Sequence, residues 1–244
     1  MPEKIRGREQ LVQDFFAKHF YLLSQSTIIE IGGMGASAVL GDYNVLPKST
    51  KDPYIVQIGA SIGLDTIHLA QRHPSSKILC YEPNPHTFDK LYENTHLFPG
   101  INIIPSAVSN YSGHASFNIN KNSSWGDSLV PGNHQQSIIV PVVAASSIFQ
   151  DKKVDLATID VEGSELQIMR NLDSTRVINN VNHFVIEFHG NVLNQGEQLE
   201  IYEILQRNGY KFTTGFGVRN IFIPRIFSLM DPFRASIVIH AFKN

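Results

Sequence analysis

The sequence has few of the features that would place a protein outside the cell, in a membrane or on nucleic acid. A single cysteine, Cys80, rules out an internal disulfide. With 20 basic and 22 acidic residues, the chain lacks the basic excess that attracts polyanions. The longest nearly apolar run, 138–145, is far shorter than the roughly 20 residues of a membrane-spanning helix. We therefore expect neither a transmembrane segment nor a nucleic-acid partner.

The first residues also lack the apolar centre of a signal peptide, because 1–18 are charged throughout. Together with the lone cysteine, this favours a cytoplasmic protein. Apolar residues between Leu11 and Phe20 recur at helical spacing. We expect residues 1–50 to form an N-terminal extension of helix and loop, and residues 51–244 to form one domain.

Strand and helix patterns alternate from residue 54 onward, which predicts an α/β fold with a mostly parallel sheet and right-handed crossovers. The predicted strands are 54–58, 77–81, 101–104, 154–159 and 183–188. One predicted helix begins after residue 63, and three others span 85–97, 163–171 and 197–208. Residues 112–147 break this rhythm and predict a hairpin-like insertion with a mobile tip. Residues 210–242 predict two further strands joined by a long excursion, ending in an antiparallel pair.

A glycine-bearing turn, Gly59 to Gly63, follows the first strand and precedes a helix, so the backbone there can approach a ligand closely. Glu82 ends the next strand, where nucleotide-binding folds place a carboxylate that accepts both ribose hydroxyls. The glycine-rich stretch 31–35 has no such acid at the right distance and is interpreted as a bent loop.

Two later strands also end in polar residues. Asp160 ends one, and Glu187 and His189, which share a face, end the other. Neighbouring parallel strands would bring the three into one pocket, with His189 as the natural general base because its ordinary pKa is near 6.5. The same three could instead hold a divalent metal. Acids near a helix start, such as Glu162 and Glu165, can simply offset the helix dipole.

Three other functions remain open on these residues. Gly59-Ala-Ser61-Ile-Gly63 matches a nucleophile elbow, and Asp160 and His189 follow in the chain order of a hydrolase triad. A dinucleotide-dependent oxidoreductase would use the glycine turn, but the nearest base for a pyrophosphate is Arg72. A cofactor-binding module without catalysis is the third.

Two stretches could contact an acceptor. Residues 122–136, with Trp125, Asp127 and His134, form either a lid or a plain surface loop. Residues 210–234 interleave basic and aromatic side chains. That stretch favours core strands or a dimer contact, with a lipid-linked or anionic acceptor as the alternative, and it leaves a homo-oligomer open.

Five motifs in order resemble the FkbM family of S-adenosylmethionine-dependent methyltransferases. They are Val56-Gln-Ile-Gly59-Ala-Ser-Ile-Gly63, Tyr81-Glu82-Pro83-Asn84-Pro85, Pro105-Ser106-Ala107-Val108-Ser109, Ile159-Asp160-Val161-Glu162-Gly163-Ser-Glu165 and Val185-Ile-Glu187-Phe-His189. The resemblance implies a Rossmann-like class I methyltransferase fold, with a mostly parallel twisted sheet, a terminal antiparallel strand and helices on both faces. It also implies O-methylation of a hydroxyl on a sugar, polyketide or other natural product, and so a small-molecule or glycan- or lipid-linked acceptor.

The resemblance further assigns the cofactor contacts. The methionine portion would lie on Gly59, Ala60, Ser61 and Gly63, the ribose on Glu82 with Pro83 and Asn84, and the adenine beside Ser106 and Ala107. Asp160 would lie near the transferred methyl group. Relatives often carry an acid where this chain has Gln57, so recognition of the methionine amino group would depend on backbone carbonyls or on Asp65.

Overall fold

A seven-stranded sheet forms the centre of the structure, a computed structural model that describes residues 44–119, 127–130, 136–189, 195–216 and 236–243. The strands in chain order are β1 (Tyr54–Ile58), β2 (Lys77–Tyr81), β3 (Ile101–Ile104), β4 (Ala107–Ser109), β5 (Gly113–Ile119), β6 (Gln136–Ala144), β7 (Val154–Ile159), β8 (Val181–His189), β9 (Lys211–Phe216) and β10 (Ser236–Phe242). The helices are α1 (Leu64–Arg72), α2 (Pro85–Thr95), α3 (Ala145–Phe149), α4 (Glu165–Ser174) and α5 (Gln195–Arg207), with a short 3-10 helix at Val177–Asn180.

The strand order in the central sheet is β3-β2-β1-β7-β8-β10-β9. The pairs from β3 to β8 are parallel, and β10 runs antiparallel to both β8 and β9. The chain therefore builds one half of the sheet outward from β1 and then crosses back to build the other half from β7. The crevice between the carboxyl ends of β1 and β7 is the switch point at which open α/β sheets bind ligands.

The sheet is buried on both faces, because its central strands are almost continuously apolar. Val56 and Ile58 face a core cluster shared with α4 and α5, whereas Ile55 faces a cluster shared with α1 and α2. Helices on both faces are thus confirmed. Leu46 also packs into the second cluster at 3% exposure. The boundary at residue 50 stays a prediction.

The insertion forms a second, three-stranded sheet together with β4, which precedes it, in the order β4-β6-β5. Strands β5 and β6 pair antiparallel, from Gly113 with Val142 to Ile119 with Gln136, which confirms the predicted hairpin. Most of its tip, including Trp125 and His134, lies outside the described residues. So do the predicted N-terminal helix, the stretch 31–35 and most of the C-terminal basic and aromatic segment.

Local patterns predicted most element bounds closely, and β1, β2, β3 and β7 match to the residue. Helix α2 begins where predicted because Pro85 suits its first turn and the Asn84 side chain accepts a hydrogen bond from the His86 amide at 3.0 Å. Helix α4 begins at Glu165, two residues later than predicted. Within the described residues, no helix is both long and apolar enough to cross a membrane.

Candidate functional site

The glycine turn after β1 is fixed by contacts to the ends of two neighbouring strands. The amides of Gly59 and Ala60 both donate to the Tyr81 carbonyl at 3.0 Å. Gly59 has φ +83°, and a Cβ atom there would lie 1.8 Å from the Asp160 carbonyl oxygen. Only glycine fits this close approach, which brings the turn directly against the start of the β7–α4 loop.

Gly63 has a different role from the one expected of it. It has φ +88°, and a Cβ there would lie 2.7 Å from Leu91 Cδ1 of α2. Gly63 is absent from the lining of the cavity described below. Its lack of a side chain allows close packing of α1 against α2 instead.

Glu82 is held at the carboxyl end of β2 by two backbone amides. Its Oε2 accepts from the Ser61 amide at 3.0 Å and its Oε1 from the Asn84 amide at 2.9 Å. The residue is 7% exposed. Burial raises the pKa of the Glu82 carboxyl to about 7; the two amide hydrogen bonds act in the opposite direction, and the charge of Asp127 adds to the rise. The carboxylate is therefore oriented before any ligand arrives.

The insertion reaches this site through the short segment 127–130. Asn84 Nδ2 donates to Asp127 Oδ2 at 2.6 Å, and Ser128 Oγ donates to the Glu162 carbonyl at 2.7 Å. The Asn118 and Ser128 backbones also exchange two hydrogen bonds. The second sheet is therefore joined to both halves of the crevice, at Asn84 on one side and at Glu162 on the other.

These elements surround an open-mouthed cavity of about 1120 Å³, counting the space in its mouth. Most of the residues predicted to bind a cofactor or an acceptor line it, and these are Gly59, Ala60, Ser61, Asp65, Glu82, Pro83, Ser106, Ala107, Asp160 and Glu187. Asn84 and His189 lie behind the lining, as Gly63 does. The lining also includes Thr87, Phe117, Leu129 and Glu162, which were not predicted to bind a ligand.

Four carboxylates surround the ring of His189. Nδ1 lies 3.1 Å from Glu165 Oε1, and Nε2 lies 3.4–3.8 Å from one oxygen of each of the other three. Those three are Glu162 at 3.4 Å, Asp160 at 3.5 Å and Glu187 at 3.8 Å. The structure thus brings together Asp160, Glu187 and His189, as the strand ends predicted.

The His189 ring is 3% exposed, and its surroundings favour the charged form. Burial by itself would lower the pKa of His189, but the hydrogen bond to Glu165 and the charges of Asp160 and Glu162 raise it to about 10. The sequence favoured His189 as the general base because an ordinary imidazole pKa lies near neutrality. The raised pKa removes that reason.

The loop after β7 explains why Glu162 and Glu165 join this cluster. Glu162 has φ +53° and Gly163 has φ +116°, a local conformation that the sequence pattern did not reveal. Glu165 is fully buried, and its Oε1 also accepts from the Gly163 amide at 3.1 Å. The two acids therefore do more than offset the dipole of α4. The Asp-Val-Glu-Gly-x-Glu spacing was the available signal.

Gln57 faces away from the cavity. Its Oε1 accepts from Thr66 Oγ1 at 2.6 Å, and the Cys80 thiol lies 3.7 Å from the same oxygen. Burial raises the pKa of that thiol to about 12. Gln57 is thus a buried link between β1, β2 and α1, and it is absent from the cavity lining.

The geometry favours neither a hydrolase nor a dinucleotide-dependent oxidoreductase. A triad needs a hydrogen bond from the serine hydroxyl to the histidine, yet His189 Nε2 makes no hydrogen bond with any described residue. Dinucleotide folds order their strands 3-2-1-4-5-6, whereas β10 is inserted here as an antiparallel strand before β9.

Comparison with known proteins points to one family. Residues 57–212 match the family model described as "Methyltransferase FkbM domain". The hexuronic acid methyltransferase AglP of Haloferax volcanii is 27% identical over 153 residues, which cover 61% of each chain. The methyltransferase sdnD of Sordaria araneosa is 23% identical over 158 residues, covering 50% of this chain and 61% of that protein. The chain thus spans about three fifths of the length of these relatives.

Solved structures show the same fold at low sequence identity. The METTL16 MTase domain aligns with a TM-score of 0.53 and 11% identity, over 96% of this chain and 78% of that one. A human methyltransferase 10 domain containing protein aligns with a TM-score of 0.50 and 13% identity, over 96% and 94%. Both alignments show that the fold is shared.

Proposed function

This chain belongs to the Methyltransferase FkbM domain family, and we propose on that ground that it transfers a methyl group from S-adenosylmethionine to a hydroxyl of a small molecule or glycan. The observation that carries the proposal is the orientation of Glu82. Its two oxygens are fixed by the amides of Ser61 and Asn84 at the wall of the switch-point cavity. Each oxygen keeps a lone pair for a ribose hydroxyl.

The remaining contacts follow from where residues line the cavity. Gly59, Ala60 and Ser61 present backbone to the methionine portion, and we assign the Asp65 carboxylate, which also lines the cavity, to its amino group. Ser106 and Ala107 line the wall proposed for the adenine, and Pro83 lines the same cavity. Asn84 acts from behind the lining, through Glu82 and Asp127.

The charge of the cavity suits a cationic cofactor. Among the described lining residues are six acids, namely Asp65, Glu82, Asp127, Asp160, Glu162 and Glu187, and neither a lysine nor an arginine. A sulfonium is attracted by such a surface, whereas the pyrophosphate of a dinucleotide is repelled. This complements the strand-order argument against an oxidoreductase.

S-adenosylmethionine supplies an electrophilic methyl group on a positively charged sulfur. The acceptor oxygen forms its bond to the methyl carbon as the carbon–sulfur bond breaks, and the hydroxyl proton must pass to a base. Glu187 lines the cavity, is largely buried and lies beside Asp160 at the end of the neighbouring strand. We assign it the proton, and assign Asp160 to alignment of the acceptor.

The relatives suggest which acceptors to try first. AglP is named for a hexuronic acid, and sdnD is named only as a methyltransferase. Sugars, including uronic acids, are therefore the first compounds to test, followed by the hydroxylated polyketides that the family resemblance implies.

The function is tested by calorimetry with S-adenosylmethionine, S-adenosylhomocysteine and NAD, followed by an assay of S-adenosylhomocysteine release with these acceptors. We expect both sulfur compounds to bind, NAD not to bind, and Glu187→Gln to lower kcat by roughly 100-fold without weakening cofactor binding. Binding without turnover on any acceptor would indicate a non-catalytic module. Preferential binding of NAD would contradict the proposal.

The affinity for S-adenosylmethionine is expected to depend on pH through Glu82. The pKa of the free carboxyl is raised to about 7, and the ribose hydroxyls favour the ionised form, so binding below pH 7 must first remove a proton. Kd should therefore rise as pH falls, by about tenfold from pH 8 to pH 6. Calorimetry on wild type and Glu82→Gln checks this, because the variant retains only the titration of the ligand's own amino group. Identical pH profiles would count against the assignment.

A further inference from the structure

The cluster around His189 has the composition and spacing of a metal site. Asp160 Oδ1 or Oδ2, one oxygen of Glu162 and one ring nitrogen of His189 lie within 4.8 Å of one another. We propose that Asp160, Glu162 and His189 bind a divalent first-row transition-metal ion at the end of the cavity where the acceptor is methylated. The set includes Glu162, whereas the sequence indicated Glu187 as the third ligand.

The separations between the proposed ligand atoms suit a common ion. Metal–ligand bonds of about 2.1 Å at tetrahedral or octahedral angles place ligand atoms about 3.0–3.4 Å apart. His189 Nε2 lies 3.4 Å from Glu162 Oε2 and 3.5 Å from Asp160 Oδ1. Small rotations of the two carboxylates, both of which line the cavity, would complete the set without moving the buried ring.

The histidine itself provides an observation independent of the acids. Its Nε2 is buried, points toward three carboxylates and makes no hydrogen bond with any described residue. A buried polar atom that makes no hydrogen bond costs about 1–3 kcal/mol, and here three carboxylates face it at 3.4–3.8 Å without closing to hydrogen-bond distance. A cation coordinated by that nitrogen accounts for this arrangement.

Glu165 completes the arrangement from the other side of the ring. The His189 Nδ1–H donates to Glu165 Oε1 at 3.1 Å, so Nε2 faces Asp160 and Glu162. The surrounding carboxylates favour the charged ring, and a metal ion would bind the Nε2 lone pair by displacing its proton. Histidine ligands commonly donate their second ring N–H to a carboxylate in this way. The full burial of Glu165 and its hydrogen bond from the Gly163 amide fix the carboxylate that orients the ring.

The donor set also indicates which ions to expect. Mg²⁺ and Ca²⁺ prefer oxygen ligands alone, whereas imidazole together with carboxylates suits Mn²⁺, Fe²⁺ or Zn²⁺. We therefore expect Mn²⁺ and Zn²⁺ to bind more tightly than Mg²⁺ at this site.

The role of the ion rests on the proposed methyl transfer, although its binding does not. Three protein ligands leave coordination positions open toward the cavity. An acceptor with two adjacent oxygens, such as a vicinal diol or the carboxylate and hydroxyl of a uronic acid, could occupy them. The ion would then offset the repulsion between an acidic acceptor and the six carboxylates of the described lining, and leave Glu187 to receive the proton.

The test is binding of Mn²⁺ alone to chelator-treated full-length protein, followed by calorimetry and by the electron paramagnetic resonance signal of free Mn²⁺. We expect stoichiometric binding by wild type and a loss of affinity of about tenfold or more in His189→Ala and Asp160→Asn. His183→Ala is the matched control, since His183 lies at the opposite end of β8 and contacts the Asp155 carbonyl. It should bind Mn²⁺ as wild type does.

Failure of wild type to bind Mn²⁺ or Zn²⁺, or unchanged binding in both cluster variants, would overturn the proposal. If His189→Ala does not fold by circular dichroism, Asp160→Asn decides, because Asp160 lines the cavity and the change preserves its size. Calorimetry with S-adenosylmethionine on the same samples separates the two hypotheses. If the protein binds S-adenosylmethionine but no metal ion, only the metal site is refuted. If it binds the metal ion but not S-adenosylmethionine, only the cofactor assignment is refuted.

Discussion

Replacing Glu82 with alanine is expected to weaken S-adenosylmethionine binding by at least about 100-fold. A hydrogen bond to a charged group contributes about 1.5–3 kcal/mol, and the Glu82 carboxylate is positioned to accept two from the ribose. The change also leaves the amides of Ser61 and Asn84 without their present acceptors, so the loop that carries them would lose its orientation. Calorimetry on the purified variant measures the effect.

Two controls separate recognition from a general loss of structure. Glu93→Ala removes an exposed acid on α2 and should leave affinity unchanged. Glu82→Gln keeps the size of the side chain and one acceptor oxygen, and should bind with intermediate affinity. If Glu82→Ala binds within threefold of wild type, Glu82 does not contact the cofactor.

Substitution of Gly59 by alanine should have the second large effect, this time on stability. The new Cβ would lie 1.8 Å from the Asp160 carbonyl oxygen, a backbone atom that can move only if β7 or its loop moves. We expect a loss of about 4 kcal/mol or more in the free energy of unfolding, measured by urea denaturation, and a loss of cofactor binding with it.

Gly209→Ala isolates the part of that loss that comes from the backbone dihedral. Gly209 has φ +80°, close to the +83° of Gly59, but a Cβ there would meet nothing within 4 Å. Its substitution should lower the free energy of unfolding by about 1–2 kcal/mol, the usual penalty for a non-glycine residue in the left-handed backbone conformation. Equal losses in the two variants would show that the close contact between the turn and Asp160 does not matter.

Much of the fold could be predicted because local patterns determine it. The apolar run of Tyr54–Ile58 and the proline that starts α2 each specify an element within a few residues. Strand order depends on pairing between segments that are distant in the sequence. The sequence therefore predicted an antiparallel pair at the end of the chain, but not that β10 lies between β8 and β9. Strand β4, with only three residues, is too short to show a period.

The site was predictable where strand ends determine it, and less so where loops do. Asp160 and Glu187 follow from parallel pairing of β7 with β8. Glu162 joins them through a left-handed backbone that a non-glycine residue seldom adopts. Phe117 reaches the cavity from β5 and Leu129 from the segment 127–130, whose docking depends on tertiary contacts such as that between Ser128 and Glu162.

The pKa of His189 is a further property of the site that the sequence did not predict. Its residue type suggested a base that titrates near neutrality, yet four surrounding carboxylates favour its charged form. Only two of those acids could be placed beside it from strand alignment. The other two come from the loop after β7 and from the first residue of α4, whose positions strand alignment does not specify.

A crystal structure of the protein with S-adenosylhomocysteine bound tests the central claim most directly. We predict both ribose hydroxyls within hydrogen-bonding distance of the Glu82 carboxylate, the adenine beside Ser106 and Ala107, and the sulfur directed toward Asp160 and Glu187. A ligand bound elsewhere, or one whose ribose does not contact Glu82, would contradict the assignment of this cavity.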